Sequence, residues 1–352
     1  MIAKQWVSPL LGVGIFCFVG GLCWGRQEVS PPKLRVVTTL PVLADLARQV
    51  GGDLVQVVSL GKGPEDPHYV TPTPSLMQAV RKADLFVEVG MSLEMWAVNV
   101  LDGAGNRRVR RGSKGHVYAS EGVPVLEVPV SMTRAKGDLH PNGNPHLWVD
   151  PVRLGWMAKN IEKGMERVRP SQAPAFRKGY EAFQMKLDRA TFGPRLVKLL
   201  GGKVLNRLAI SGKLQSFLKK KYKGKPLSTR LGGFLKKAAP LRGRKILFYH
   251  QNWIYFTTRF GLKVEGFVED KPGITPSASH KLRLLKLIKA ENIKVLGTAT
   301  WNDDSVPNAL ARESGIEVVI LPAMVGATRD AKDSLSLINA LIERLLHAYQ
   351  KG

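Results

Sequence analysis

Three of the seven histidines in this 352-residue chain stand at comparable places. His68 lies in Gly63-Pro-Glu-Asp-Pro-His-Tyr-Val-Thr-Pro72, just after an apolar run. His146 lies in Asn144-Pro-His-Leu-Trp-Val-Asp-Pro151. His250 closes Ile246-Leu-Phe-Tyr-His and opens Gln-Asn-Trp-Ile-Tyr-Phe. Two of the three follow proline, which fixes its own φ and restricts the residue before it. Such a backbone pre-orders an imidazole on a loop. Imidazole is a ligand for zinc, copper, iron and nickel, and three imidazoles leave a fourth position for carboxylate or water. The same set also suits a catalytic zinc site, with Glu65 or Asp66 as general base, or a metal chelatase. No His-Glu-x-x-His motif supports the enzyme. The three residues are far apart in sequence, so spacing alone does not bring them together, and each taken singly reads as an ordinary loop histidine.

The elements that would position them alternate. Strands are expected at 34–40, 54–60, 85–89, 117–118 and 123–128, with helices from 41 to 50 and 74 to 82 between them. A second alternating region has strands at 245–249, 264–268, 295–299 and 318–321, and helices at 279–290, 306–314 and 334–350. Alternation of this kind argues for parallel sheets, and open α/β sheets bind ligands beyond the carboxyl ends of their strands. Between the two regions, residues 151–199 keep a helical period, broken once by Pro170 and Pro174: a long helix or a kinked pair. The fold expected is α/β, two similar lobes with mainly parallel sheets (33–150 and 200–350) joined by a long connecting helix (151–199), with the metal site in the cleft between the lobes.

The ends and the charge bear on location. Residues 1–25 read as a signal peptide or N-terminal anchor: Lys4, an apolar run over 10–22, then Cys23-Trp24-Gly25. A lipid-modified cysteine fits less well, since Leu22 stands where a small residue is wanted. Both cysteines, Cys17 and Cys23, fall inside this segment. A processed chain would therefore have no thiolate, and its metal ligands would be His, Asp or Glu. The formal charge is +25. Sixteen Lys and Arg lie between 195 and 245, and no Asp or Glu occurs from 189 to 264. Leu205, Leu208, Leu214, Phe217 and Leu218 give this basic insertion (about 200–243) an apolar side. It reads as a solvated excursion of the second lobe, or as a surface that touches anionic lipid. Few aromatics interleave its charges, so a nucleic-acid partner is not expected.

Taken together, the motifs resemble a known family. Asp-Pro-His, Asn-Pro-His-Leu-Trp-Val-Asp-Pro, Tyr-His-Gln-Asn-Trp-Ile-Tyr-Phe, Ala83-Asp-Leu-Phe-Val-Glu-Val-Gly90 and Pro272-Gly-Ile-Thr-Pro-Ser are similar to segments of the cluster A-I solute-binding proteins. These are the zinc and manganese receptors of ABC importers, some of them cell-surface adhesins. The resemblance runs from about residue 34 to the C-terminus. It implies a monomeric, periplasmic or cell-surface receptor, not an enzyme, that gives its ion to an importer permease. It implies ligands at His68 and His146 from the first lobe and His250 from the second. Asp333 falls in the register of the family's fourth ligand, although Leu335 replaces the tyrosine that usually follows. A histidine at the place of His250 goes with zinc in this family and a glutamate with manganese, which makes Zn2+ the expected ion and Mn2+ the alternative. The long His-rich loop of many zinc members is missing; only His116 and His140 lie between the first two ligands, and His140 reads as a loop residue, with metal delivery as the alternative role.

Overall fold

The structure, a computed structural model, describes residues 1–6, 8, 32–129, 140–271 and 273–351. Most of the N-terminal segment expected as signal or anchor, including Cys17 and Cys23, lies outside the described residues, as does Pro272. Residues 33–352 form one compact unit, which holds all the elements described below. No helix among the described residues is long and apolar enough to cross a membrane.

Two four-stranded sheets carry this unit. The first holds β1 (Leu34–Thr38), β2 (Val55–Ser59), β3 (Leu85–Glu88) and β4 (His116–Tyr118). After a two-stranded hairpin, β5 (Lys221–Tyr222) and β6 (Lys225–Pro226), the second holds β7 (Lys245–Phe248), β8 (Lys263–Phe267), β9 (Val295–Ala299) and β10 (Glu317–Leu321). Every pairing within the two large sheets is parallel. Their orders are β2-β1-β3-β4 and β10-β9-β7-β8. Read from the first strand of each lobe, the two are the same topology: the second strand goes to one side, the third and fourth to the other.

The helices are α1 (Pro41–Gly51), α2 (Pro74–Arg81), α3 (Ala97–Ala104), α4 (Pro151–Val168), α5 (Ala173–Phe192), α6 (Pro194–Leu200), α7 (Gly202–Ile210), α8 (Leu214–Leu218), α9 (Gly233–Lys237), α10 (Ile254–Phe260), α11 (Ala278–Glu291), α12 (Ser305–Ser314) and α13 (Ser334–Lys351). Alternate strand residues feed different cores, because side chains alternate faces with a period of two. Val36, Leu85, Val87, Ile246, Phe248 and Val295 enter one cluster that also takes Met157, Ile161, Phe183, Leu187, Leu337 and Leu341. Val37 and Phe86 enter a second cluster with Val80 and Val100. Leu247 and Leu296 enter a third with Leu284 and Leu310. The first cluster is continuous from one sheet to the other, so the lobes share one core.

The stretch from 151 to 199 is not one helix but an antiparallel pair, α4 and α5, followed by the start of α6. α4 ends at Val168, a short 3-10 turn begins at Pro170, and α5 runs back along α4. Lys159 lies over Tyr180, Arg177 bonds Glu166, and Gly155 has no side chain where Gln184 crosses it. Proline can start a helix, where its missing N–H is no loss, but cannot continue one. The strand expected at 123–128 does not form. Pro124 has no N–H to give a neighbouring strand, and Leu126 instead receives Asn144 N–H and donates to the Tyr255 hydroxyl. The apolar side of the basic insertion is turned inward: Leu205, Leu214 and Leu218 are buried, and Leu208 and Phe217 pack against the same core.

Candidate metal centre

The three histidines meet. One ring nitrogen from each of His68, His146 and His250 lies within 4.8 Å of the other two. The ring centroids are 5.3 Å apart for His68–His146, 5.8 Å for His68–His250 and 6.1 Å for His146–His250. Each comes from a loop beyond a parallel strand, or from the segment that leads into α4.

Two of the three histidines share one local device. Asp66 Oδ1 accepts both the backbone N–H of His68, at 2.9 Å, and its Nδ1, at 2.7 Å. Asn144 Oδ1 does the same for His146, at 3.0 and 2.9 Å. The proline between the acceptor and the histidine has no N–H to compete and holds the turn. The amide of Asn144 has its orientation set on the other side, where Nδ2 donates to Glu127 at 2.9 Å and to the Gln251 carbonyl at 2.7 Å. Asn144 Oδ1 must therefore accept, and His146 Nδ1 must carry the proton. His250 Nδ1 pairs with Glu269 Oε2 at 2.6 Å. With each Nδ1 committed, Nε2 is the nitrogen left on every ring. His146 Nε2 is buried and has no hydrogen-bond partner. An orphaned buried acceptor is rare in a folded protein, and a metal ion would satisfy it.

Electrostatics favour a neutral His146. Burial, followed by the neighbouring histidines, holds the His146 imidazole well below its ordinary value, so it stays unprotonated and free to coordinate. Burial alone would raise Asp66, but the hydrogen bonds and charge of His68 outweigh it and leave the carboxylate ionised. An ionised partner on Nδ1 raises the basicity of the opposite nitrogen and fixes the tautomer. A tetrahedral zinc site needs ligand nitrogens roughly 3.3 Å apart, so shifts of about an ångström or less would close the trio on an ion. The site adjoins a cavity of about 70 Å³ lined by Asp66, His68, Tyr69, His250, Glu269, Gly273, Trp301 and Asn302. Larger hollows of about 510 and 730 Å³ have none of the three histidines in their walls.

Bonds within the first lobe and between the lobes brace the trio. Trp148 Nε1 donates to the Ala323 carbonyl at 2.7 Å, and the Tyr255 hydroxyl donates to the Asn144 carbonyl at 2.6 Å. Trp96 Nε1 holds the Pro67 carbonyl at 2.9 Å. Gly63, on the loop that carries His68, lies against the backbone of Gly326 and Ala327; a Cβ there would come within 2.2 Å of Gly326.

Asp333, expected as the fourth ligand, is not in the three-histidine group. It is the N-cap of α13: Oδ1 accepts the Ser336 N–H at 2.7 Å, and its own N–H is received by Ser336 Oγ at 2.8 Å. Its Oδ1 thereby satisfies an otherwise orphaned helix donor. His140 stacks on His68, centroids 5.4 Å apart, without joining the group. His116 is buried elsewhere, 2.8 Å from Glu88. The bases considered for an enzyme have other partners: Glu65 pairs with Lys62, and Asp66 holds His68. Sequence reasoning missed the acceptors of the three Nδ1 protons. The repeated Asx-Pro-His pattern was the available signal for Asp66 and Asn144. Glu269, on the segment after β8, had none.

The sequence model of the family described as "Zinc-uptake complex component A periplasmic" (ZnuA) matches residues 36–191 and 233–348. The chain belongs to this family. Its relatives are the substrate-binding components of metal ABC transporters. The zinc-binding lipoprotein AdcA of Streptococcus pneumoniae serotype 4 is 22% identical over 325 residues, 91% of this chain and 56% of AdcA. The manganese ABC transporter substrate-binding lipoprotein PsaA of Streptococcus anginosus is 26% identical over 184 residues, 51% of this chain and 56% of PsaA. The matched regions thus span a little over half the length of these relatives. A crystal structure of ZnuA superimposes with a TM-score of 0.65 at 22% identity, covering 90% of this chain and 99% of that one, a likeness of fold. The ZnuA match leaves residues 192–232 outside, which is most of the basic insertion.

Proposed function

We propose that the chain captures a divalent transition-metal ion, zinc before manganese, outside the cytoplasm and passes it to the permease of an ABC importer. The observation that carries this is the convergence of three imidazoles whose Nδ1 atoms are all engaged, around a buried His146 Nε2 with no partner among the described residues. Membership of a family of metal receptors supports the delivery step. The chain acts as a monomeric receptor with no catalytic role, and its N-terminal segment exports it or tethers it at the cell surface.

Zinc is favoured by the donor set. Three nitrogens and no carboxylate in the ligand group suit the borderline-soft ion, whereas Mn2+ stands lowest in the divalent affinity order and prefers oxygen. His68, His146 and His250 would hold the ion, with water from the adjoining cavity in the fourth position. Asp66 and Glu269 keep the rings oriented and offset part of the added charge. The shared core restrains a hinge between the lobes, so release falls to the loops that carry His68 and Glu269. A competition titration tests the choice of metal: zinc displaces bound manganese from the purified chain at equimolar concentration. Retention of manganese under those conditions would overturn the zinc assignment.

A further inference from the structure

The part of the chain that the ZnuA match leaves out carries a feature with no role in the metal site. Residues 219–226 are all exposed. They include the hairpin formed by β5 and β6, paired antiparallel as Lys221 with Pro226 and Tyr222 with Lys225. Five lysines fall within seven residues: Lys219, Lys220, Lys221, Lys223 and Lys225. The turn has φ +50° at Lys223 and +77° at Gly224. A two-residue hairpin turn with both φ positive usually takes Asn-Gly or Asp-Gly, so Lys223 keeps a positive charge at a position that disfavours it. Tyr222 is 37% exposed. Its ring lies under two cations, the Arg230 guanidinium at 5.3 Å and Lys223 Nζ at 5.9 Å. Beneath, Lys220 Nζ lies 5.2 Å from the half-buried Phe217 ring.

Among the described residues no carboxylate neutralises this finger. Of the sixteen Lys and Arg between 195 and 245, only Lys237 and Lys245 reach a carboxylate among the described residues, and neither is in the hairpin. Like charges held this close repel one another, and an ordered hairpin keeps them together. The apolar side of the insertion is spent on the core, so what remains for a partner is charge and one aromatic ring. The lysines are spread along an exposed ribbon and do not converge on a point. A dispersed set of ammonium groups with a tyrosine among them matches a planar array of phosphates with an interfacial layer for the ring.

We propose that the 219–225 hairpin is a contact for the anionic phospholipid surface of a bilayer, holding the receptor beside the membrane in which its permease would lie. The contact stands independently of the metal reading, because it uses no residue of the metal centre.

The test is flotation of the full-length chain with vesicles of phosphatidylglycerol in phosphatidylcholine, against phosphatidylcholine alone. Binding is expected only with the anionic vesicles, and it is lost as salt rises. The combined variant Lys220→Gln, Lys221→Gln, Lys223→Gln and Lys225→Gln should bind about tenfold more weakly or worse. Its zinc titration and circular dichroism should be unchanged. A matched control takes the same charge from exposed lysines elsewhere, Lys82, Lys178, Lys286 and Lys289, each to Gln, and should keep most of the binding. Equal losses in the two variants would mean general basicity and would overturn the proposal. So would unaltered binding of the hairpin variant, or equal binding to neutral vesicles. Tighter binding to duplex DNA than to anionic vesicles would assign the hairpin to another partner and overturn it too.

Discussion

Replacing His146 with alanine is expected to abolish tight metal binding while leaving the fold in place. Deleting the polar partner of a ligand already costs about 10–100-fold in affinity, and removing the ligand itself should cost more than that. Stability should not fall in parallel. His146 is 1% exposed and its Nε2 has no partner among the described residues, and an unpaired buried nitrogen costs free energy. Alanine removes that unsatisfied atom. His146→Ala should therefore unfold at a similar temperature to the parent without metal, and lose the stabilisation that zinc gives the parent. Asp333→Ala supplies the contrast. It deletes the cap of α13, at a cost of about 1 kcal/mol, and should leave metal affinity where it was. Calorimetric titration reads both. Unchanged affinity in His146→Ala would refute the site, and lost affinity in Asp333→Ala would restore Asp333 as a ligand.

Asp150→Ala is expected to be the most destabilising single change near the site. Asp150 is fully buried and serves three functions. It caps α4 by accepting the Val152 N–H at 3.0 Å, it receives Arg259 through Nε and Nη2 at 2.9 Å each, and it pairs with Arg153. Arg259 sits on α10 in the second lobe, so this carboxylate ties the His146 segment across the cleft. Both guanidinium side chains are nearly buried, at 7% and 5% exposed. Alanine would leave two buried cations without their partner, which costs about 3–5 kcal/mol. The pH dependence has a definite sign. Burial would raise the Asp150 carboxyl, but Arg259 and Arg153 outweigh it and hold it below its usual 3.8. Its contribution is therefore complete above pH 3.8 and is lost as pH falls through the lowered value. Urea unfolding of parent and variant near neutral pH checks the magnitude; a loss below about 1 kcal/mol would show that the arginines find other partners.

Much of this organisation was legible in the residues. Val36 beside Val37, and Leu247 beside Phe248, lie on strands buried on both faces, and each pair feeds two cores. His68, His146 and His250 were identifiable from residue type, from the strands before His68 and His250, and from the prolines before His68 and His146. What escaped was set by contacts distant in sequence. Asp150 and Arg259 are 109 positions apart, and Asn144 and Tyr255 are 111 apart; no local period announces such pairs. Glu269 orients His250 from 19 residues away on another segment. Local patterns also misled where two structures share one signature. The period over 151–199 is that of a helix whether the chain runs on or doubles back. The apolar alternation at 123–128 is that of a strand, yet Pro124 and the neighbouring loops take its hydrogen bonds elsewhere. Asp333 fits a ligand register and a capping register equally, and in the structure it caps α13 through the Ser336 N–H.

The central claim is that three imidazoles from separate loops hold one ion. Zinc K-edge X-ray absorption on the chain loaded with one equivalent of zinc tests it most directly. Three coordinated imidazoles predict a shell of nitrogen and oxygen at about 2.0–2.1 Å with the multiple scattering of three rings. A spectrum showing one imidazole or none, or a chain that retains no zinc after desalting, would contradict it.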